Sequence, residues 1–129
     1  MARPQRSRRI CAMPEHKSFA PEGPGNREPV FLTLDEFEAI RLMDREGCTH
    51  EECAAVMQIS RTTATEIYAQ ARQKVASAIV EGRVLSIEGG NVRLCEQAGR
   101  CGGFRACAEG KDGKNAMPNT AEDKEQTHA

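Results

Sequence analysis

The chain has 129 residues and a formal net charge of −1; hydrophobic types make up 39% of it and aromatic types only 4%. This length supports one compact domain. With no Trp and a single Tyr, the chain has too few aromatic side chains for a stacking platform that binds single-stranded nucleic acid. No apolar run approaches the roughly 20 residues of a membrane helix, and no signal-peptide core follows the basic start, so we expect a cytoplasmic protein without membrane contact.

The charge is unevenly distributed along the chain. Residues 1–20 carry five basic side chains and one acidic one, whereas residues 33–58 carry seven acidic and two basic side chains. Positive charge at the N-terminus favours contact with a phosphate backbone, and the acidic side chains fall on segments that we predict to be supporting helices.

Residues 1–29 are predicted to form a basic arm followed by an irregular loop, because residues 12–29 contain six Pro or Gly residues. Arginines of such an arm can contact phosphates or enter a minor groove, as homeodomain arms do. The alternative is an ordinary disordered N-terminus. The candidate DNA-binding arginines are Arg3, Arg6, Arg8 and Arg9.

Residues 30–82 are predicted to form a three-helix domain. Thr33 followed by Glu36 is a capping-box pattern that starts the first helix, and Gly47 is placed to end it. The third helix is about 20 residues long, so its second half needs a packing partner beyond the other helices. Its predicted buried stripe consists of Ala64, Ile67, Ala71, Val75, Ala78 and Ile79.

The second and third helices follow each other closely. Thr49 and Ser60 are both N-cap types, and the segment between them has room for two helical turns and a tight bend. This spacing is typical of a DNA-binding helix-turn-helix, although any small helical bundle is the alternative. Gln58 stands where such turns usually have Gly; if its backbone is left-handed, the cost is on the order of 1 kcal/mol relative to Gly.

If the third helix enters a major groove, its first turns supply the contacts. Arg61 can pair with guanine or phosphate, Gln70 can read adenine, and Glu66 can accept a hydrogen bond from cytosine. The alternative for each is a solvated helix face. The full set of candidate DNA-binding residues on this helix is Ser60, Arg61, Thr62, Thr65, Glu66 and Gln70.

The last third of the chain changes in character. Residues 83–108 begin with two β-prone runs around Gly89-Gly90, which predict a β-hairpin. A cysteine-containing segment follows. Residues 109–129 are polar and without periodicity, and we predict a disordered tail.

The six cysteines divide into two groups. Cys48 and Cys53 fall at positions that core packing explains. The other four are candidate ligands for zinc or an iron–sulfur cluster, although the C-x5-C-x5-C spacing is wider than a usual zinc knuckle and matches no ferredoxin pattern. Redox-active thiols, or no special role, are the alternatives. The candidate ligands are Cys11, Cys95, Cys101 and Cys107, with His16 as another donor.

Two resemblances follow from these motifs. The block TxEECAxxMxISRTT resembles the helix-turn-helix of sigma-factor region 4. A longer stretch, residues 1–107, resembles an uncharacterised prokaryotic family of predicted DNA-binding proteins. The motifs that carry this resemblance are, in chain order, RRIC, LTLDEFEAIRLMDREGCTHEECA, SRTT and VLSIEGG…RLC. The resemblance implies a mainly α fold: a sigma region 4-like three-helix domain with a small β-hairpin and a Cys-containing C-terminal segment.

We therefore expect a sequence-specific transcriptional regulator that binds duplex DNA, forms a homodimer and takes a metal or redox input through its cysteines. The alternative is a sigma-like module that docks on a protein partner in transcription, or a metal- or cluster-binding protein that does not bind DNA; the net negative charge favours this alternative. An enzyme is not expected, because we find no acid–base pair, nucleophile motif or phosphate loop.

Overall fold

A computed structural model of the protein describes residues 7–23 and 28–96. About half of the described chain is helical. Three short strands precede the helices along the chain, and two follow them. The strands are β1 (Arg8–Ile10), β2 (Ser18–Phe19), β3 (Val30–Leu32), β4 (Leu85–Ile87) and β5 (Val92–Leu94); the helices are α1 (Leu34–Ile40, continued by a π-helical turn over Arg41–Arg45), α2 (His50–Met57) and α3 (Arg61–Glu81). No helix in these two ranges is long and apolar enough to cross a membrane.

The predicted helix starts are confirmed. Thr33 begins α1, and its backbone N–H donates to Glu36 Oε1 at 2.9 Å. Thr49 begins α2, where its hydroxyl accepts from the Glu52 N–H at 3.1 Å and its own N–H donates to Glu52 Oε1 at 2.9 Å. Gly47 has φ +79°, the left-handed conformation expected of a residue that follows a helix end.

Helix α3 matches the predicted length, with 21 residues between the Ser60 cap and a left-handed Gly82. Its buried residues are Ala64, Ile67, Ala71 and Ala78, and Val75 is partly buried. The prediction for Ile79 is wrong, because this side chain is 74% exposed. One helix position turns a side chain by about 100°, so Ile79 leaves the face on which Ala78 packs.

The predicted β-hairpin is also wrong, because β4 and β5 belong to different sheets. One sheet has the order β2-β4-β3, and the other pairs β1 with β5 in parallel. The Gly89-Gly90 connection packs on the start of α1 rather than turning back. The Leu34 N–H donates to Gly89 O at 2.9 Å, and a Cβ on Gly90 would lie 3.0 Å from Asp35 Oδ1.

Both sheets join segments from the two ends of the described chain. Strand β4 is antiparallel to β2, which lies in the segment predicted to be an irregular loop, and is parallel to β3. Strand β1 comes from the predicted basic arm. The sequence-based prediction divided the segments 1–29 and 83–108 from the helices. The described residues of these two segments pack against each other. The predicted tail 109–129 lies outside the described residues.

The core has two parts. The larger cluster lies between α1, α2 and the first half of α3, and the smaller one packs Ala71 of α3 against Leu32 of β3 and Ile87 of β4. The small sheet is therefore the packing partner that the second half of α3 needs. The larger cluster consists of Ala39, Leu42, Cys48, Cys53, Ala54, Val56, Met57, Ala64 and Ile67.

Candidate nucleic-acid interface

The turn between α2 and α3 is built on a left-handed Gln58, at the position where such turns usually have Gly. Its backbone has φ 58° and ψ 48°, and it is the one non-glycine residue with positive φ in the described ranges. The Ile59 N–H donates to Ala54 O at 3.0 Å, and the Ile59 side chain packs against the larger core cluster. The turn therefore fixes the start of α3 directly after α2.

The Gln58 side chain has a partner that sequence reasoning missed. Arg93 of β5 donates from Nη2 to Gln58 Oε1, and its Nη1 donates to Ser7 O at 2.6 Å. Hydrogen bonds with an ionised donor are stronger than neutral ones. Arg93 thus ties the turn to β5 and to the residue that precedes β1. No local signal predicts this contact, because the two partners are 35 positions apart.

The six candidate contact residues at the start of α3 are all exposed. The opposite side of the same turns is buried, with Ala64 fully inaccessible and Ile67 8% exposed. The first half of α3 therefore presents a continuous outward face, supported from behind by α1 and α2. We call this surface, formed by Ser60, Arg61, Thr62, Thr65, Glu66 and Gln70, the α3 face.

Two residues of the α3 face also make contacts within the protein. The Ser60 hydroxyl accepts from the Thr63 N–H at 3.1 Å, which confirms its role as N-cap. The Thr65 hydroxyl lies 2.8 Å from Nδ1 of His50, the first residue of α2. This contact orients the Thr65 side chain and links the start of α2 to the second turn of α3.

A polar cluster beside the α3 face holds the three helices together. The His50 ring meets Tyr68 edge-on at 5.9 Å, and the Tyr68 hydroxyl donates to Asp44 Oδ1 at 2.6 Å. This hydrogen bond to a carboxylate raises the pKa of Tyr68. Arg72 lies over the Tyr68 ring at 5.6 Å. The sequence signal for this cluster is the spacing of Thr65, Tyr68 and Arg72, because residues three and four positions apart lie on the same face of a helix.

Charge on and around the α3 face is nearly balanced. Exposed Arg61 and Arg72 contribute positive charge, while exposed Glu66 and Glu51 contribute negative charge. The N-terminus of α3 adds partial positive charge from its aligned peptide dipoles. Contacts of this surface with a polyanion would therefore depend on few formal charges.

Two of the four arm arginines are part of the fold. Arg9 Nε donates to Val56 O at 2.8 Å, at the C-terminal end of α2, where the helix dipole favours a cation. Arg8 Nε lies 3.8 Å from Asp35 Oδ2, and both side chains of this pair are 12% exposed. Arg8 and Arg9 have a structural role, because they lie in β1 and β1 pairs with β5. The composition had instead predicted a flexible arm. Arg3 and Arg6 lie outside the described residues.

The buried cysteines lie where core packing predicted them. Cys53 is fully buried and Cys48 is 6% exposed, both in the larger core cluster. Burial raises the pKa of Cys48 to about 12 and that of Cys53 to about 11. Both groups therefore remain protonated thiols at neutral pH, which fits the core-packing role that the sequence predicts.

The fold brings two of the candidate metal ligands together. Cys11 and Cys95 directly follow Ile10 and Leu94, which are register partners at the ends of the parallel pair β1 and β5. The Cys95 N–H donates to Ile10 O at 2.7 Å. Cys101 and Cys107 lie outside the described residues, and His16 is exposed. Within the described ranges, no group of three or more His, Cys, Asp or Glu side chains is placed to hold a metal.

Comparison with known proteins identifies relatives but no solved structure. A family model described as "Protein of unknown function DUF134" matches residues 1–95. A UPF0251 protein of Desulfitobacterium hafniense (strain Y51) is 48% identical over 79% of this chain and 84% of its own length. UPF0251 proteins of Pelotomaculum thermopropionicum and Halothermothrix orenii are 46% and 44% identical, over 79% and 78% of this chain and 81% and 76% of their own lengths. No solved structure matches the chain significantly.

Proposed function

The chain belongs to the DUF134 family of proteins of unknown function, and we propose that it binds duplex DNA sequence-specifically as a transcriptional regulator. In this proposal α2 and α3 act as a helix-turn-helix related to that of sigma-factor region 4. Helix α2 supports α3 from behind, and the start of α3 enters the major groove.

The observation that carries the proposal is the division of α3 into two faces. Its first turns bury Ala64 and Ile67 against α1 and α2, while every outward residue of the α3 face is exposed and polar. A helix that is packed on one side and uncovered on the other, and that is oriented by a three-residue turn, has the arrangement that major-groove readers use.

The side chains of the α3 face match base and backbone chemistry. Arg61, in the first turn, can reach guanine O6 and N7 or a phosphate, and Gln70 can make paired hydrogen bonds to adenine. Thr65, whose hydroxyl lies beside His50, offers its methyl group to a thymine methyl. Glu66 selects for a cytosine N4 donor and opposes phosphate contact.

Regulatory input through cysteines is a second component of the proposal. Cys11 and Cys95 lie at the same end of two paired strands, so they offer two soft ligands from opposite ends of the described chain. Four thiolates, with Cys101 and Cys107 added, suffice for zinc or an iron–sulfur cluster. A metal bound there would reinforce the pairing of β1 with β5, and β5 carries the Arg93 that holds the turn of the helix-turn-helix.

A second candidate function is docking on a protein of the transcription machinery without DNA contact. The balanced charge of the α3 face favours it, because most DNA-binding surfaces are strongly positive. Exposed Glu66 and Glu51 would then contribute to recognition of a partner protein.

The test is selection of binding sites from a random duplex library with the purified full chain at stated salt concentrations. We expect a recurring motif that the Arg61→Ala variant binds at least about fivefold more weakly, since loss of a bidentate base contact costs about 1–3 kcal/mol. Arg45→Ala is the matched control, because Arg45 is exposed on the π-helical turn after α1; its affinity should be unchanged. All three proteins should have the same circular dichroism spectrum.

Two results would overturn the proposal. One is the absence of any motif above non-specific binding, which would favour the protein-docking function. The other is undiminished affinity of Arg61→Ala for the selected duplex, which would remove the α3 face from the interface.

A further inference from the structure

Cys11 and Cys95 occupy the next position after the last register partners of the parallel strands β1 and β5. Those partners are Ile10 and Leu94, and the hydrogen bond from the Cys95 N–H to Ile10 O, at 2.7 Å, carries the pairing past them. Neighbouring strands lie about 4.8 Å apart. The backbones of the two cysteines therefore lie side by side, although the residues come from opposite ends of the described chain.

Both cysteine side chains lie on the same face of this strand pair. Side chains alternate between the two faces of a strand, so Cys11 shares a face with Arg9, and Cys95 shares that face with Arg93. Arg9 reaches a carbonyl in the last turn of α2, and Arg93 reaches the side chain of the α2–α3 turn. The face therefore packs on the end of α2, and it presents the two sulfur atoms next to each other.

The backbone of the pair is held in place from both sides. The Cys11 N–H donates to Glu38 Oε2 of α1 at 2.7 Å. Glu38 is fully buried and accepts from Arg41 Nε at 2.8 Å and from Arg41 Nη2 at 2.9 Å. Disulfides form between residues whose Cα atoms are roughly 4.4–6.8 Å apart. The spacing of paired strands lies in this range, so a bond between the two sulfur atoms requires little backbone movement.

We propose that Cys11 and Cys95 are a redox-modification site, at which exchange with a low-molecular-weight disulfide forms a reversible disulfide bond. The Cys11 thiolate attacks one sulfur of the small disulfide, and the other sulfur leaves as a thiolate. The Cys95 thiolate then attacks the Cys11 sulfur of this mixed disulfide and displaces the second thiolate. The protein gives up two electrons and two protons, and the small disulfide is reduced to two thiols.

Exposure assigns the order of the two attacks. Cys11 is half-buried, whereas Cys95 is 8% exposed. A small disulfide in solvent therefore reaches Cys11 first, and Cys95 needs only to reach its neighbour. The core thiols Cys48 and Cys53 do not compete, because burial raises their pKa values to about 12 and about 11 and exchange requires a thiolate.

The disulfide uses two of the four thiols that the proposed metal site would use, so the bond and a bound metal exclude each other. The bond would join β1 covalently to β5, which carries the Arg93 that contacts the α2–α3 turn. The proposal rests neither on DNA binding nor on metal binding, and its test involves neither.

The test treats the purified full chain, with a chelator present, with mixtures of reduced and oxidised glutathione. The remaining thiols are then blocked with iodoacetamide, and the protein is digested with trypsin for mass spectrometry. Cleavage after Lys and Arg places Cys11 in residues 10–17 and Cys95 in residues 94–100, with no other cysteine in either peptide. As the oxidised share rises, we expect these two peptides to appear cross-linked, lighter than their sum by two hydrogen atoms. Dithiothreitol should release them.

Two serine variants separate the roles of the two cysteines. Cys95→Ser should stop at the mixed disulfide, so residues 10–17 should carry glutathione. Cys11→Ser removes the accessible thiol, so residues 94–100 should carry at least about tenfold less glutathione than residues 10–17 carry in Cys95→Ser.

The matched control combines Cys101→Ser with Cys107→Ser. These two cysteines take no part in the proposed bond, so the double variant should form the same cross-link to the same extent as the wild type. Thermal unfolding gives a second measurement. The oxidised wild type should unfold about 10 °C above the reduced wild type, because the bond closes a long loop. Oxidised glutathione should not raise the unfolding temperature of Cys11→Ser.

Two results would overturn the proposal. One is that residues 10–17 and 94–100 stay unlinked at every ratio of oxidised to reduced glutathione. The other is that the main cross-link joins either peptide to one that carries Cys48, Cys53, Cys101 or Cys107. Both results come from the wild type, so they do not depend on whether a variant folds.

Discussion

Gln58 occupies a backbone conformation that costs any non-glycine residue free energy, and its side chain offsets part of that cost. A left-handed non-glycine residue loses on the order of 1 kcal/mol relative to Gly. The hydrogen bond from Arg93 to Gln58 Oε1 recovers stability and also links β5 to the α2–α3 turn. A Gly at this position would relieve the strain but would remove that link. The choice of Gln is therefore explained by a contact across the fold.

Substitutions at Gln58 should separate strain from contact. Gln58→Ala keeps the strain and loses the hydrogen bond, so we expect the free energy of unfolding to fall by about 1 kcal/mol. Gln58→Gly loses the bond but relieves the strain, so its stability should stay within about 0.5 kcal/mol of the wild type. Urea denaturation of both variants measures the difference.

The Arg93→Ala background supplies the control for this pair. There the hydrogen bond is already absent, and Gln58→Ala should cost only a few tenths of a kcal/mol. An equal loss of stability with and without Arg93 would show that the two side chains are not coupled.

At the scale of elements, the helix starts depend on interactions within three residues. Thr49 and Ser60 were predicted as caps, and each accepts a hydrogen bond from the N–H three residues later at 3.1 Å. The strands behave differently, because three residues cannot form a strand without a partner. Strand β4 finds its partners in β2 and β3, so the local hairpin signal at Gly89-Gly90 was misleading.

The two caps allow a matched prediction about function. Thr49→Ala and Ser60→Ala each lose one cap, and each should lower the free energy of unfolding by about 1 kcal/mol. Only Ser60→Ala should weaken binding to a selected duplex, because Ser60 lies on the α3 face at the proposed interface. The measurements are urea denaturation and fluorescence anisotropy with a labelled duplex. Equal losses of affinity in both variants would mean that Ser60 acts on binding only through stability.

At the scale of the whole molecule, the two ends of the described chain close the fold. Strand β1 pairs with β5, and Arg9 reaches the end of α2. Ile10 is fully buried. The described part of the N-terminal segment, from Arg8 onward, therefore belongs to the domain, and phosphate contact by Arg3 and Arg6, which lie outside the described residues, stays a prediction.

Two deletions should distinguish these roles. Removal of residues 2–6 should leave the free energy of unfolding unchanged, but should flatten the salt dependence of duplex affinity, because two arginines are lost. Removal of residues 2–10 also deletes Ile10 and β1, and should destabilise the protein by more than the 2–5 kcal/mol typical of one truncated core Ile. An unchanged salt slope after the first deletion would exclude a phosphate-binding arm. Unchanged stability after the second would exclude β1 from the fold.

The sequence by itself determined the helices, their caps and the buried positions Cys48 and Cys53. These features depend on hydrogen bonds and side-chain periodicity within about four residues, which a sequence displays directly. Tertiary structure alone decided the pairing of β1 with β5, the structural role of Arg8 and Arg9, the contact of Arg93 with Gln58 and the exposure of Ile79 and Val80. Each of these depends on which distant segment covers which surface, and segments such as Ser7 and Arg93, 86 positions apart, show no local pattern that marks them as neighbours.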